Sequence, residues 1–215
     1  MKKLNTAIIL FAVQLVGMLF FTVSQFVRML HSVQGVSPMW LICAALFCDI
    51  NLGLAYRGWR EIRSKESLLL LITHAGWVIT LTPLLILLAT KASQVNWGWY
   101  DKMTFVLVLA LGSLTILAGK LLGKPLSDPI IRGVLGAILR GIPHIALAYK
   151  IWLMGGGGIA TIAVWTAHGT ALVRIGQLAS VIRKTGWQRT QYGIALAEGA
   201  SELTWALVTV IWLIR

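Results

Sequence analysis

Acidic side chains are scarce in this sequence: Asp and Glu together number 7 among 215 residues, against 19 Lys and Arg. That scarcity leaves no acid cluster on a water-facing surface. With no nucleophile–base pair and no metal motif either, no enzyme, metal site or cofactor is expected. Cysteine is equally sparse. Cys43 and Cys48 lie inside one hydrophobic run, so neither a disulfide framework nor a CxxC metal site can be built, and both read as small apolar fillers. Charge of either sign is thin at 12%, whereas 58% of residues are hydrophobic and the mean hydropathy is +0.81. No soluble domain of this size could bury so much apolar surface, which leaves an all-α integral membrane bundle with the lipid bilayer as a partner.

A bilayer-spanning helix takes about 20 apolar residues. Hydrophobic runs predict seven transmembrane helices near residues 5–30, 37–57, 67–90, 103–123, 130–153, 158–182 and 190–213, and these nearly exhaust the chain. The breaks have physical causes. Ser37-Pro38 suits a helix start, the stretch from Arg57 to Glu66 is too charged for hydrocarbon, and the run Gly155 to Gly158 holds a helix only at a cost. The opening Met1-Lys2-Lys3 and the apolar run after it resemble a secretory signal, but no A-x-A-like cleavage site follows, so a first span is expected.

The net charge of +12 does not imply a nucleic-acid partner, because the Lys and Arg residues fall mainly between the apolar runs, as in membrane-protein loops. Alternate loops differ. One side would hold Lys2, Lys3, the Arg57/Arg60/Arg63/Lys65 group, Lys120, Lys124 and the Arg183/Lys184/Arg189 group, and the other Arg28, Lys91, Lys102, Lys150 and Arg215. The positive-inside rule then predicts a cytoplasmic N-terminus in a bacterial-type inner or plasma membrane. Trp59, Trp97, Trp99, Tyr100, Trp152, Trp187 and Trp212 fall near span ends, where amphipathic rings anchor at the headgroup level.

An internal repeat is the most informative pattern. The first three spans carry Ser24-Gln25, then Gln34-Gly35-Val36-Ser37, then Asn51 with Arg57, then the basic loop. The last three carry Pro143-His144, then the glycine run, then His168 with Arg174, then Arg183-Lys184. Order and approximate spacing agree. Two parallel three-helix bundles joined by a linker helix follow, with the first bundle in 1–100, the linker in 101–126 and the second bundle in 127–215.

The residues Ser24-Gln25, Gly35-Val36-Ser37, Asn51 and Tyr56-Arg57-Gly58 resemble the PQ-loop and SWEET superfamily, and Gly141-Ile142-Pro143-His144 through the glycine run looks like a degenerate second copy. The first copy has Ser where the family has Pro, and the second has His where it has Gln. A PnuC-type vitamin transporter shares the three-one-three plan. The resemblance implies a carrier or facilitator that alternates access to a solute held between the bundles. It also implies a hinge at the PQ-like positions Ser24, Gln25, Pro143 and His144, of which Pro143 removes a backbone donor from its helix.

Ionisable residues at membrane depth cost a few kcal/mol on insertion scales and are functional candidates by default. Asp49, Glu198 and Glu202 are the acids in spans. Glu198 and Glu202 share a helix face, and two carboxylates so placed would repel unless one is protonated. They read either as a proton relay, with His74 as a further candidate, or as a structural pair bridged to Arg140 or Arg174. Asn51 and His168, equivalent in the repeat, are the leading substrate contacts, with Trp77, Trp165 and Asp49 behind them. Trp77 and Trp165 could stack on a sugar or a flat heterocycle. A retinal pigment is excluded, because residues 190–214 contain no lysine.

These readings predict a transporter or facilitator of a small polar solute, sugar-like or vitamin-like, with proton coupling as an added expectation and a homo-oligomer left open. The alternative is a receptor or sorting protein of the same fold, similar to the KDEL receptor, which charged pocket walls would favour. A scramblase would need a hydrophilic groove open to lipid.

Overall fold

A computed structural model of the chain describes residues 6–215, so Lys2 and Lys3, on which part of the orientation rests, lie outside the described residues. Seven helices follow one another: α1 Thr6–His31, α2 Pro38–Ile62, α3 Lys65–Thr90, α4 Trp99–Leu121, α5 Pro129–Met154, α6 Thr161–Thr185 and α7 Arg189–Ile214. Short 3-10 turns at Ala92–Gln94 and Gly156–Gly158 complete the described secondary structure, which includes no strand. Six of the seven helices are long and apolar enough to cross a membrane. The exception is α6, which spends its polarity on His168, Arg174 and Gln177.

Most boundaries fall close to the hydrophobic runs, and the departures are instructive. The helix α2 continues past Arg57 and Arg60 to a left-handed residue at Arg63 (φ 51°). A helix satisfies its own backbone whether or not lipid surrounds it, so a charged stretch marks the edge of hydrocarbon rather than the end of the helix. At its start, Ser37 accepts the Trp40 N–H and Pro38 fills the first turn. The helix α4 begins at Trp99, earlier than the hydropathy suggests, because the Asp101 carboxylate accepts the Gly98 N–H at 3.2 Å and stabilises an otherwise open first turn.

Packing runs in a closed order. The helix α1 lies on α3, α3 on α2, α2 on α5, α5 on α7, α7 on α6, and α6 back on α1. The seventh element, α4, stays outside this ring against α5, with a lighter contact to α2. It buries only Tyr100, Asp101, Thr104, Val108 and Gly119, while Phe105, Val106, Leu109, Leu114 and Leu117 are exposed. The rest of the bundle carries a similar outer belt, including Phe20, Val23, Ile79, Ile86 and Leu203. Apolar surface this continuous is a lipid-facing surface. Helices α5 and α7 approach most closely at Gly133 and Gly193, where a methyl group on either would meet the other helix's backbone.

The end of the bundle that carries the glycine run is tied shut. The Gln25 side chain, fully buried, donates to the Gly158 carbonyl at 2.9 Å and accepts the Ala160 N–H at 3.0 Å. Gly35 (φ 80°) and Gly158 touch backbone to backbone, and a side chain on either would push the two turns apart. Lys150 was expected among the loop charges, but it is fully buried. Its ammonium donates to the Val36 and Asn96 carbonyls at 2.7 Å each and lies 3.6 Å from the equally buried Asp101. Asp101 accepts the Ser37 hydroxyl at 2.7 Å, so the starts of α2 and α4 and the end of α5 share one network. Two other cations at this end are also engaged: Lys91 caps the last carbonyls of α1 and Arg215 lies 4.0 Å over the Trp152 ring. At the opposite end Arg57, Arg60, Arg63, Lys65, Lys120, Lys124, Arg183 and Arg189 are exposed. Of the aromatic residues read as interfacial anchors, Trp97, Trp99, Trp152 and Trp187 are exposed, whereas Tyr100 is buried against Tyr149.

Candidate functional site: a charged cavity inside the helix ring

The six ring helices enclose a cavity of about 690 Å³ to which α4 contributes nothing. Its depth follows from the helix ends that line it. Ser127, Pro129, Thr190 and Gln191 border it where the basic loops are, and Phe21, Trp40, Trp77, His144 and Trp205 line its far end. Those rings close the bottom by contact: Trp40 stacks on Trp205 at 5.8 Å, and Phe21 meets Trp40 and Trp77 edge-on at 6.0 and 5.8 Å. Below this floor lies the Gln25–Gly158 seal. The cavity therefore reaches towards the basic-loop end and is shut from the glycine end.

One face of α5 supplies two of the cavity's three arginines. Arg132, Gly136, Arg140 and His144 recur every fourth residue and so share a side of the helix. Arg132 donates to the Asn51 amide oxygen at 2.8 Å, bridging α5 to α2. Arg140 sits over the Phe47 ring at 5.1 Å and donates to Glu198 at 2.7 Å. Arg174 from α6 donates to the other oxygen of the same carboxylate, also at 2.7 Å. Glu198 thus holds two guanidiniums, the arrangement named above as the alternative to a relay, and its charge needs no shared proton with Glu202.

Glu202, one turn on, bonds His168 Nδ1 at 2.5 Å, while His168 Nε2 lies 2.8 Å from the Thr209 hydroxyl. That hydroxyl also lies 3.0 Å from the Trp205 carbonyl. His144 lies 3.0 Å from the Thr204 hydroxyl and meets Trp205 edge-on at 5.0 Å. The His74 Nδ1 is buried in the wall and has no hydrogen-bond partner among the described residues.

Of the substrate contacts suggested by the sequence, Asn51 and Trp77 line the cavity, and His168 stands behind Glu202. Trp165 and Asp49 lie on exposed helix faces and do not line it. Of the coupling candidates, Glu198, Glu202 and His74 all line it. Of the PQ-like residues, Gln25 is in the seal, His144 is in the cavity floor, Pro143 is buried within α5, and Ser24 bonds back to the Phe21 carbonyl at 3.0 Å. Sequence reasoning passed over Arg132 and treated Arg140 and Arg174 only as partners for the acids. The four-residue recurrence on α5 was the available signal. Among the described residues no group of three His, Cys, Asp or Glu side chains comes together to hold a metal ion. Comparison with protein-family models, curated proteins and solved structures finds no match.

Proposed function

We propose that this membrane protein is a transporter or facilitator that passes a small polar solute through the ring by alternating access. The observation that carries the reading is a cavity enclosed by six helices, with three arginines and two glutamates in its wall, reaching one end of the bundle and sealed from the other. The three-one-three repeat of the PQ-loop and SWEET superfamily belongs to the same proposal. Its support is that the packing order is unchanged when α1, α2 and α3 are exchanged for α5, α6 and α7, with α4 left outside. Further support comes from the seal, where Gln25 of α1 bonds the α5–α6 turn and Lys150 of α5 bonds the α1–α2 turn. Rocking of one bundle on the other would break the Gln25 and Gly158 contacts and close the Asn51–Arg132 end. With the basic loops cytoplasmic, the cavity faces inward. Proton coupling fits Glu202 and His168, which are joined by a short hydrogen bond beside the cavity, better than Glu198, which two arginines hold.

The test is uptake into proteoliposomes of sugars and vitamin-like solutes that first stabilise the purified protein. Saturable uptake that falls about tenfold or more in Asn51→Ala is expected, since the substitution removes a wall contact and frees Arg132. Unchanged uptake in that variant would sink the site assignment. The second reading, a receptor of the same fold, is favoured by the three arginines in the wall, and binding without flux would select it.

A further inference from the structure

The charge of the cavity wall goes beyond the solute class read from the sequence. Arg132, Arg140 and Arg174 face it, and the carboxylates that line it are Glu198 and Glu202. Three guanidiniums face two carboxylates, so the described wall carries positive charge in excess. Each guanidinium offers five N–H donors, about fifteen in all. The described residues take one from each: to Asn51, and to the two oxygens of Glu198. A cavity inside a membrane bundle that holds unpaired positive charge and many free donors is costly unless its usual occupant returns negative charge. The opposite end of the same cavity is aromatic, with the Trp77, Trp205 and Phe21 rings and the His144 imidazole forming the floor. Helical rise puts Arg140 about 6 Å above His144 and Arg132 about 12 Å above Arg140. A planar ring on the floor would therefore have its head group beside Arg140 and Arg174, with Arg132 on the route in.

We propose that the cavity takes an organic anion, its flat apolar body on the aromatic floor and its carboxylate or phosphate beside Arg140 and Arg174, with Arg132 on the route in. This rests on the reading of the cavity as the solute site. It replaces a neutral sugar with a ring-bearing anion as the substrate class. The exposed basic residues around the mouth, including Arg63, Lys65 and Arg183, would raise the local anion concentration without contributing to selectivity.

The experiment measures thermal stabilisation of the purified full-length protein in detergent by matched probes: indole-3-acetate against indole-3-acetamide, phenyl phosphate against phenol, and acetate alone. At least one ring-bearing anion is expected to stabilise at about tenfold lower concentration than its neutral partner, the scale of one charge-assisted pair. Whether the carboxylate or the phosphate series does so names the head group. Acetate, with the charge but not the ring, is expected to act no better than the neutral probes. Arg174→Gln should weaken the anion about tenfold and leave the neutral probe unchanged, because Glu198 keeps Arg140, and Arg174→Lys should retain part of the preference. Equal response to anion and neutral partner, an acetate effect as large as that of the ring-bearing acid, or no response to any anion at millimolar concentration overturns the proposal. Flux of the same probes into proteoliposomes separates the two readings. Anion preference without flux leaves the anion site standing and removes transport, whereas flux of neutral sugars without anion preference does the reverse.

Discussion

Replacing Lys150 by Met probes the closed end of the bundle with little change of shape. The substitution removes the two hydrogen bonds at 2.7 Å to the Val36 and Asn96 carbonyls and withdraws the only cation described beside Asp101. Asp101 keeps the Ser37 hydroxyl and the Gly98 N–H, but a carboxylate with no exposed surface then lacks a counter-charge. Removing one partner of a buried pair costs about 3 to 5 kcal/mol. For a chain of this size each kcal/mol moves the melting temperature by about 2 to 4 °C, so Lys150→Met should melt about 6 to 20 °C lower. The assay is unfolding of the detergent-purified protein followed by tryptophan fluorescence. Adding Asp101→Asn to Lys150→Met should recover part of the loss, because it removes the stranded charge. A single variant that melts within about 2 °C of the parent would refute the reading of this network as the tie between α2, α4 and α5.

Other perturbations address the seal, the coupling pair and the loops. Gln25→Leu strands the Gly158 carbonyl and the Ala160 N–H, and should lower stability by about 1 to 3 kcal/mol while speeding modification of cavity residues from the glycine end. Glu202→Gln should abolish dependence of flux on a pH gradient, and dependence that persists would end the proton role of the His168–Glu202 pair. At the start of α5, burial acts to raise the Asp128 carboxyl, but the Arg189 guanidinium and the N–H groups of Ile130 and Ile131 outweigh it and hold it below the usual carboxylate range. A depressed folded-state pKa stabilises above the unfolded value and loses that contribution as pH falls through the folded one, so Asp128→Asn should flatten the acid limb of stability below about pH 4. An unchanged acid limb would show that Asp128 does not contribute to it.

The helices were legible in the sequence because apolar run length and breaks reflect the thickness of the hydrocarbon. The runs do not report where helix geometry outlasts lipid, which is why α2 continues through Arg57 and Arg60. The polarity of α6 reads as a weak span on composition alone, although Arg174 and Gln177 face the cavity. Of the candidate site residues drawn from the repeat, Asn51 occupies the wall and His168 stands behind Glu202. Trp165 and Asp49 do not, because a residue's depth in a run does not say which side of the helix it takes. Arg57, equivalent to Arg174 in the repeat, is exposed. Lys150 was misplaced for a related reason: near a helix end a lysine reads as a loop charge, and only the fold brings Asp101 and two carbonyls to it across 49 and more residues of chain.

The central claim is a solute path through the ring, open at the basic-loop end and shut at the glycine end. Gln177→Cys on α6 places a thiol in the cavity wall, in a background with Cys43 and Cys48 replaced by Ala. The measurement is its rate of modification by a membrane-impermeant thiol reagent applied to each face of oriented vesicles. Fast modification from the basic-loop face and slow modification from the other is expected, with the slow side accelerated by Gln25→Leu. Equal rates from both faces, or fast modification from the glycine face alone, would contradict the account.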